Sequence, residues 1–325
     1  MLPRSNVVEA SAIAADRGAP QRIGEVSRGK LSMAKGEPRR LTTSTQPRRL
    51  VAIVTPLYRL PLAEDEKVSM RHLREYLGQY DKFLVGPEEL LHKTSEEGEY
   101  SDFALRAFPG RYFESVQGYS RLLVTEDFYR AFSEYEYILI YQLDCLVFSK
   151  DLEVWCRQGW DYVGAPLFKD YRDDPTAGPW VVGNGGLSLR RVASAREVLA
   201  SRRLLDDPKE RGAKTQRFSS APFLRRTLVA VRTFLLERGF HNTVGWFVRE
   251  LEKHPDIYFQ EDLFWALRAS RLMPEFNIAP PEQALGFSFE MAPRYCYQAN
   301  SGRLPFGCHA WAKHDREFWE PFLLK

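Results

Sequence analysis

Four groups of residues in this chain are of types and spacings that can do chemistry. Asp144 stands between two apolar runs, Tyr137-Ile138-Leu139-Ile140-Tyr141 and Cys145-Leu146-Val147-Phe148. A lone carboxylate buried there would lose roughly several kcal/mol of hydration, so it is expected to emerge at a strand end and meet a cation, a donor or a ligand. Glu261 and Asp262 open the helical run Leu263-Phe264-Trp265-Ala266-Leu267. Carboxylates there cap free N–H groups and favour the positive end of the helix dipole. A carboxylate fixed at that point is also well placed to act as a general base. Gly183-Asn184-Gly185-Gly186 lies between two strand-like runs. Such residues let the backbone turn tightly and approach a ligand with no Cβ in the way; an ordinary hairpin turn is the equal alternative. His309 sits in the glycine-containing aromatic turn Phe306-Gly307-Cys308-His309-Ala310-Trp311, as a ligand or as a structural histidine.

The elements that must position these groups follow from hydrophobic spacing. The run 137–141 is too short for an ordinary helix and is rich in β-branched and aromatic residues, which predicts a strand buried mid-sheet. Residues 49–56 predict a first buried strand closed by Pro56, 66–78 an amphipathic helix with Val68, Leu73, Tyr76 and Leu77 inward, and 81–87 a second strand ended by Gly-Pro. This β–α–β opening with short connections asks for a parallel sheet, and ligands bind such sheets at the carboxyl ends of the strands. A weak strand is expected at 108–113, helices at 118–132, 151–158 and 192–204, and another strand at 161–166. An Asp- and Pro-rich loop is expected at 169–179, a charged loop at 205–220, and one or two helices across 221–253. The final Phe318-Trp319-Glu320-Pro321-Phe322 should pack back on the core, and no internal repeat is visible.

Composition narrows the class. The chain has 325 residues, 44% hydrophobic and 27% charged, enough to bury one sizeable core or two small ones. Residues 1–49 carry ten Arg or Lys against four Asp or Glu, a net of +6 against the chain's +3, which leaves −3 on the rest. The mildly acidic remainder excludes a nucleic-acid footprint. Residues 1–48 read as a disordered basic leader; a basic arm touching anionic lipid is the alternative. Four cysteines without CxxC spacing argue against a zinc ribbon or a disulfide scaffold and fit a reducing compartment. No apolar run approaches the roughly 18–20 residues that span a bilayer, and the first thirty residues lack an apolar signal core. The expected location is the cytoplasm, with the leader able to hold the protein at the inner face of the membrane.

Taken in order, the Gln142-Leu143-Asp144 strand end, the Val182-Gly183-Asn184-Gly185-Gly186-Leu187-Ser188-Leu189-Arg190 turn, Gln260-Glu261-Asp262 and Phe306-Gly307-Cys308-His309 resemble a GT-A-type glycosyltransferase. More narrowly, the chain resembles a microbial family of unknown function with a glycosyltransferase-like core, over roughly residues 49–323. The resemblance implies an α/β fold, a three-layer α/β/α sandwich with a mostly parallel central sheet, as a single domain over 49–325. It implies that Asp144 takes the place of the last Asp of a DxD motif and ligates a divalent cation, Mn²⁺ or Mg²⁺, with His309 as the C-terminal ligand. Gln142 stands where the first Asp would be, and its amide brings no charge. Gly183, Asn184, Gly185 and Gly186 match the acceptor-side glycine loop, and Asp262, or Glu261, matches the base of inverting enzymes. Thr55 at the end of the first strand joins the donor-binding set. Arg121, two turns before the central strand, would pair with a phosphate or is a surface arginine. The implied activity moves a sugar from a nucleotide-sugar donor to a saccharide or lipid-linked acceptor. A nucleotidyltransferase would want a glycine- and lysine/arginine-rich loop after the first strand, and Thr55-Pro56-Leu57-Tyr58-Arg59 has no glycine. A non-catalytic saccharide-binding protein is the third class.

Overall fold

A six-stranded mixed sheet carries the molecule, and the carboxyl end of its central strand leads into the expected site. In the computed structural model, described over residues 48–168, 179–203, 205, 243–254 and 258–324, the strands are β1 (Arg49–Pro56), β2 (Asp81–Gly86), β3 (Ala104–Ala107), β4 (Tyr135–Tyr141), β6 (Tyr162–Val163) and β9 (Leu187–Arg191). Their order is β3-β2-β1-β4-β9-β6. The pairs β1–β2, β1–β4 and β2–β3 are parallel, whereas β9 runs antiparallel to both β4 and β6. The central sheet is thus mostly parallel, and β4 lies in its middle, as its continuous apolar run requires.

Strand alternation builds two cores. Ala52, Val54, Ile138 and Ile140 face one side, with Leu122, Phe128, Val198, Phe264 and Trp265. Val51, Ile53, Tyr137, Leu139 and Tyr141 face the other, with Leu73, Leu77, Leu91, Leu152 and Phe287. Each Val, Leu, Ile or Phe among them contributes about 1.5–3 kcal/mol on burial. The first face is covered by α3 (Val116–Leu122), α4 (Glu126–Arg130), α6 (Val192–Leu199), α7 (Val244–Lys253) and α8 (Glu261–Leu272). The second is covered by α1 (Glu64–Leu77), α2 (Glu88–Glu97), α5 (Leu152–Arg157) and α9 (Pro281–Phe287). The result is the three-layer α/β/α sandwich.

Two smaller sheets attach to this frame. β7 (Ala165–Phe168) pairs with β8 (Pro179–Gly183), and β5 (Leu146–Val147), β10 (Ser288–Phe289) and β11 (Gly307–Cys308) form a three-stranded sheet in the order β10-β11-β5. The short helices α10 (Pro293–Ala299) and α11 (Arg316–Trp319) lie in the C-terminal part, where Trp319 is fully buried and stacks on Phe148.

Several expectations shift. The strand expected at 108–113 lies earlier, at β3, and Gly110–Tyr112 is a 3₁₀ turn instead, because Pro109 has no N–H to give a ladder. The helix expected at 118–132 is two helices, since the Thr125 hydroxyl accepts the Phe128 N–H at 3.3 Å and starts a new one. On α1, Leu73 and Leu77 are inward as expected, but Val68 and Tyr76 are only partly buried, and Ser69, Met70 and His72 take the inner face. The strand expected at 161–166 divides at Gly164 into β6 and β7. The leader, the loop at 169–178, the charged loop beyond 205 and the helical stretch before 243 lie outside the described residues. Among those described, no helix is long and apolar enough to cross a membrane.

Candidate active site

The three-stranded sheet brings distant residues together by its topology alone. β11 is antiparallel to β5 and parallel to β10. The carboxyl ends of β10 and β11 therefore meet the amino end of β5, and the residues flanking those ends are Glu290, His309 and Asp144. The His309 N–H donates to the Phe289 carbonyl at 2.9 Å and the Trp311 N–H to the Asp144 carbonyl at 3.2 Å, which fixes the backbones. His309 Nε2 then lies 3.3 Å from Asp144 Oδ1, and Nδ1 lies 3.1 Å from Glu290 Oε1. The contact to Asp144 has the distance of an ion pair without the alignment of a hydrogen bond, so the buried Oδ1 has no hydrogen-bond partner among the described residues. The Asp144 side chain is 49% exposed, so the carboxylate is open to solvent-filled space.

Charge in this cluster is mutually supporting. Burial disfavours the His309 cation, but Asp144 and Glu290 outweigh it and hold the imidazole proton well above the usual range. Burial likewise opposes ionisation of Asp144 and Glu290, and His309 reverses it, lowering both.

The glycine turn is not a hairpin. Its flanking strands belong to different sheets, β8 to β7 and β9 to β4. Asn184 turns the chain at φ 93°, and its side-chain oxygen accepts the Gly186 and Leu187 N–H groups at 2.7 and 3.1 Å. The turn lies against both halves of the site. A Cβ on Gly186 would fall 2.1 Å from His309 Cδ2, one on Gly185 2.4 Å from Glu261 Oε1, and one on Gly183 3.6 Å from Asp262 Oδ2. The Gly186 carbonyl also accepts the Gln142 N–H at 2.9 Å, tying the turn to the end of β4.

The two carboxylates at the start of α8 separate. Glu261 is 3% exposed and makes a bidentate pair with Arg190, both bonds 3.0 Å. Arg190 also donates to Tyr129 and Ser188 and lies over the Tyr162 ring. That carboxylate is consumed by structure. Asp262 instead accepts the Leu263 N–H at 2.9 Å, and burial, with the charges of Glu261 and Glu290, pushes it up to about 7.

Beside Asp144, a cavity of about 160 Å³ opens between Pro56, Leu57, Tyr58, Arg59, Leu62, Glu66, Gln142 and Leu143. The Thr55 hydroxyl near the end of β1 and Asn184 Nδ2 at the turn are buried without hydrogen-bond partners among the described residues. With Asp144 Oδ1, these are unsatisfied polar groups of the kind a bound group completes. The structure thus assembles Asp144, His309, Asp262, Glu261 and Gly183–Gly186, with Gln142 at the adjoining cavity; Thr55 is not among the residues that line it. Arg121 is not the surface arginine of the alternative reading: it is buried on α3 and donates to the His254 carbonyl at 3.5 Å. Glu290 and Tyr58 went unread in the sequence. For Glu290 the signal was there, since Phe289-Glu290-Met291 sets a carboxylate among apolar residues just as at Asp144.

A family model described as "Protein of unknown function (DUF5672)" matches residues 102–309, more than half of the chain. The chain belongs to this family. The matched stretch of the DUF5672 chain holds Asp144, the glycine turn, Asp262, Glu290 and His309, and leaves out β1 with Thr55. No curated protein matches the sequence. Among solved structures, the chain is similar to the apo form of the glycosyltransferase GlyE of Streptococcus pneumoniae TIGR4, at TM-score 0.39 and 13% identity over 85% of this chain. It spans about 60% of the length of that protein. It is also similar to galactosyltransferase LgtC in complex with donor and acceptor sugar analogs, at TM-score 0.42 and 13% identity over 79% of this chain and 86% of the other. Apo mouse xyloside xylosyltransferase 1 gives TM-score 0.42 and 12% identity over 81% of this chain and 97% of the other.

Proposed function

We propose that this chain is a metal-dependent glycosyltransferase that moves a sugar from a nucleotide-sugar donor to a saccharide or lipid-linked acceptor. One observation carries the reading: Asp144 and His309, far apart in sequence, stand 3.3 Å apart at an open strand end, and the Asp144 oxygen in that contact makes no hydrogen bond. Asp144 and His309 would hold Mn²⁺ or Mg²⁺. Among the described residues no group of three or more His, Cys, Asp or Glu side chains is arranged to hold a cation, so diphosphate and water would have to fill its remaining positions. The imidazole favours manganese over calcium. The chemistry such a cation supplies when bound is neutralisation of charge on the departing diphosphate.

The chain's own residues account for the rest. Pro56, Leu57, Tyr58 and Gln142 line the donor cavity, and the Asn184-Gly185-Gly186 backbone lets reactants approach closely. Asp262, raised to about 7, takes the proton of the acceptor hydroxyl; a base is most effective when its pKa lies near the working pH. Because residues 1–47 lie outside the described part, contact of the basic leader with the inner face of a membrane stays part of this proposal.

The test is Asp144→Ala, followed by calorimetry with UDP and GDP, with and without Mn²⁺, and by donor hydrolysis. Loss of metal-dependent nucleotide binding and a drop in rate of roughly 10³-fold are expected, with little change in Tm because the side chain is half exposed. Full retention of both would sink the proposal.

A further inference from the structure

Glu290 is a partly buried carboxylate beside the site to which the reaction above gives no role. It follows β10 and meets His309 on the side of the ring away from Asp144, with Oε1 3.1 Å from Nδ1. The backbone of His309 does not depend on that side chain, since β10–β11 pairing and the bond from the His309 N–H to the Phe289 carbonyl already hold it. What the carboxylate holds is the ring. The opposite wall is Gly186, where even a methyl group would fall 2.1 Å from Cδ2 and 2.2 Å from Nε2, so the imidazole is confined between a backbone turn and two carboxylates.

A neutral imidazole offers a lone pair from one nitrogen while the other keeps its hydrogen, and the bond made by the second decides which is which. We propose that Glu290 is the positioning residue of the cation site: it accepts Nδ1–H and thereby turns Nε2, the nitrogen facing Asp144, to the ion. This rests on the reading of Asp144 and His309 as cation ligands. Glu290 is not a third ligand in this arrangement, because the imidazole stands between it and Asp144 and uses its Oε1.

The test titrates Mn²⁺ into the full chain with saturating UDP or GDP, read by electron paramagnetic resonance, for the wild type, D144A, E290A, E290Q and E290D. E290A should weaken Mn²⁺ binding by about 10- to 100-fold. E290Q, whose amide oxygen still accepts Nδ1–H, should stay within about threefold of the wild type. E290D keeps the charge but withdraws the oxygen by one methylene, so it should weaken binding like E290A, and it keeps the test decisive if E290A does not fold. Wild-type affinity in E290A or E290D overturns the inference, as does E290Q binding as poorly as E290A. If D144A loses Mn²⁺ while E290A and E290D keep it, the cation reading stands and only the role of Glu290 falls. If the wild type binds no Mn²⁺ with either nucleotide, both fall together.

Discussion

Adjacent carboxylates with the same sequence context have been given opposite work. Glu261 is locked to Arg190 in the interior, and breaking a buried pair leaves an uncompensated charge that costs about 3–5 kcal/mol. Glu261→Ala is therefore expected to lower the unfolding free energy by about that amount in a urea titration, and an unchanged midpoint would show the pair to be dispensable. Asp262→Asn should do the reverse. Its folded pKa, raised to about 7 chiefly by burial and then by Glu261, lies above the unfolded value, so its contribution is most favourable below about pH 4 and is lost as pH rises through about 7. The Asn variant should consequently be more stable than the wild type at pH 8 and no more stable at pH 4, while losing roughly 10²–10⁴-fold in rate. Wild-type turnover should climb with pH through about 7 as Asp262 ionises. The sequence displays the Glu261-Asp262 pair but not this division, because Arg190 is 71 residues away. Glu290 was legible by the same argument that singled out Asp144: a charged residue wedged between Phe289 and Met291 needs a partner.

The glycine turn is the element on which the site closes, and here local signals were balanced. Asn-Gly reads equally as a hairpin or as a close-approach loop, and only the pairing of β8 with β7 and of β9 with β4 decides between them. Gly186 is glycine because His309 occupies the space of a side chain. Gly186→Ala should leave the sheet intact at a cost of about 1–3 kcal/mol, yet displace the imidazole and weaken Mn²⁺ binding; unaltered calorimetric affinity would show that the ring moves aside freely. The edge strand β3 was hard to read for a different reason: Ala104, Leu105 and Ala107 are exposed and Arg106 only half-buried, so there is no inward face to detect.

At the scale of the molecule, the large sheet was legible because β1, β2 and β4 each carry a continuous apolar run. The three-stranded sheet was not, since two-residue strands leave no periodicity. One further tie is visible only in the fold. His72 on α1 accepts the Leu324 N–H at Nε2 (3.0 Å), and its Nδ1 lies 2.9 Å from the Val147 carbonyl, which makes Nδ1 the protonated nitrogen. Burial lowers its pKa below the unfolded value, so the stability it lends is full above about pH 6.5 and declines as acid protonates the ring. From pH 8 to 5 the Tm difference between the wild type and His72→Leu should shift in the variant's favour, a comparison in which the opposite trend of Asp262 cancels; a constant difference would assign the acid sensitivity elsewhere.

The small sheet has a consequence for synthesis. A nascent chain halted after α9 can already own the whole central sheet, but it holds Asp144 without Glu290 or His309. Whatever activity the protein has should switch on only when the ribosome has released the segment through residue 309, so polypeptides arrested before that point would be inert.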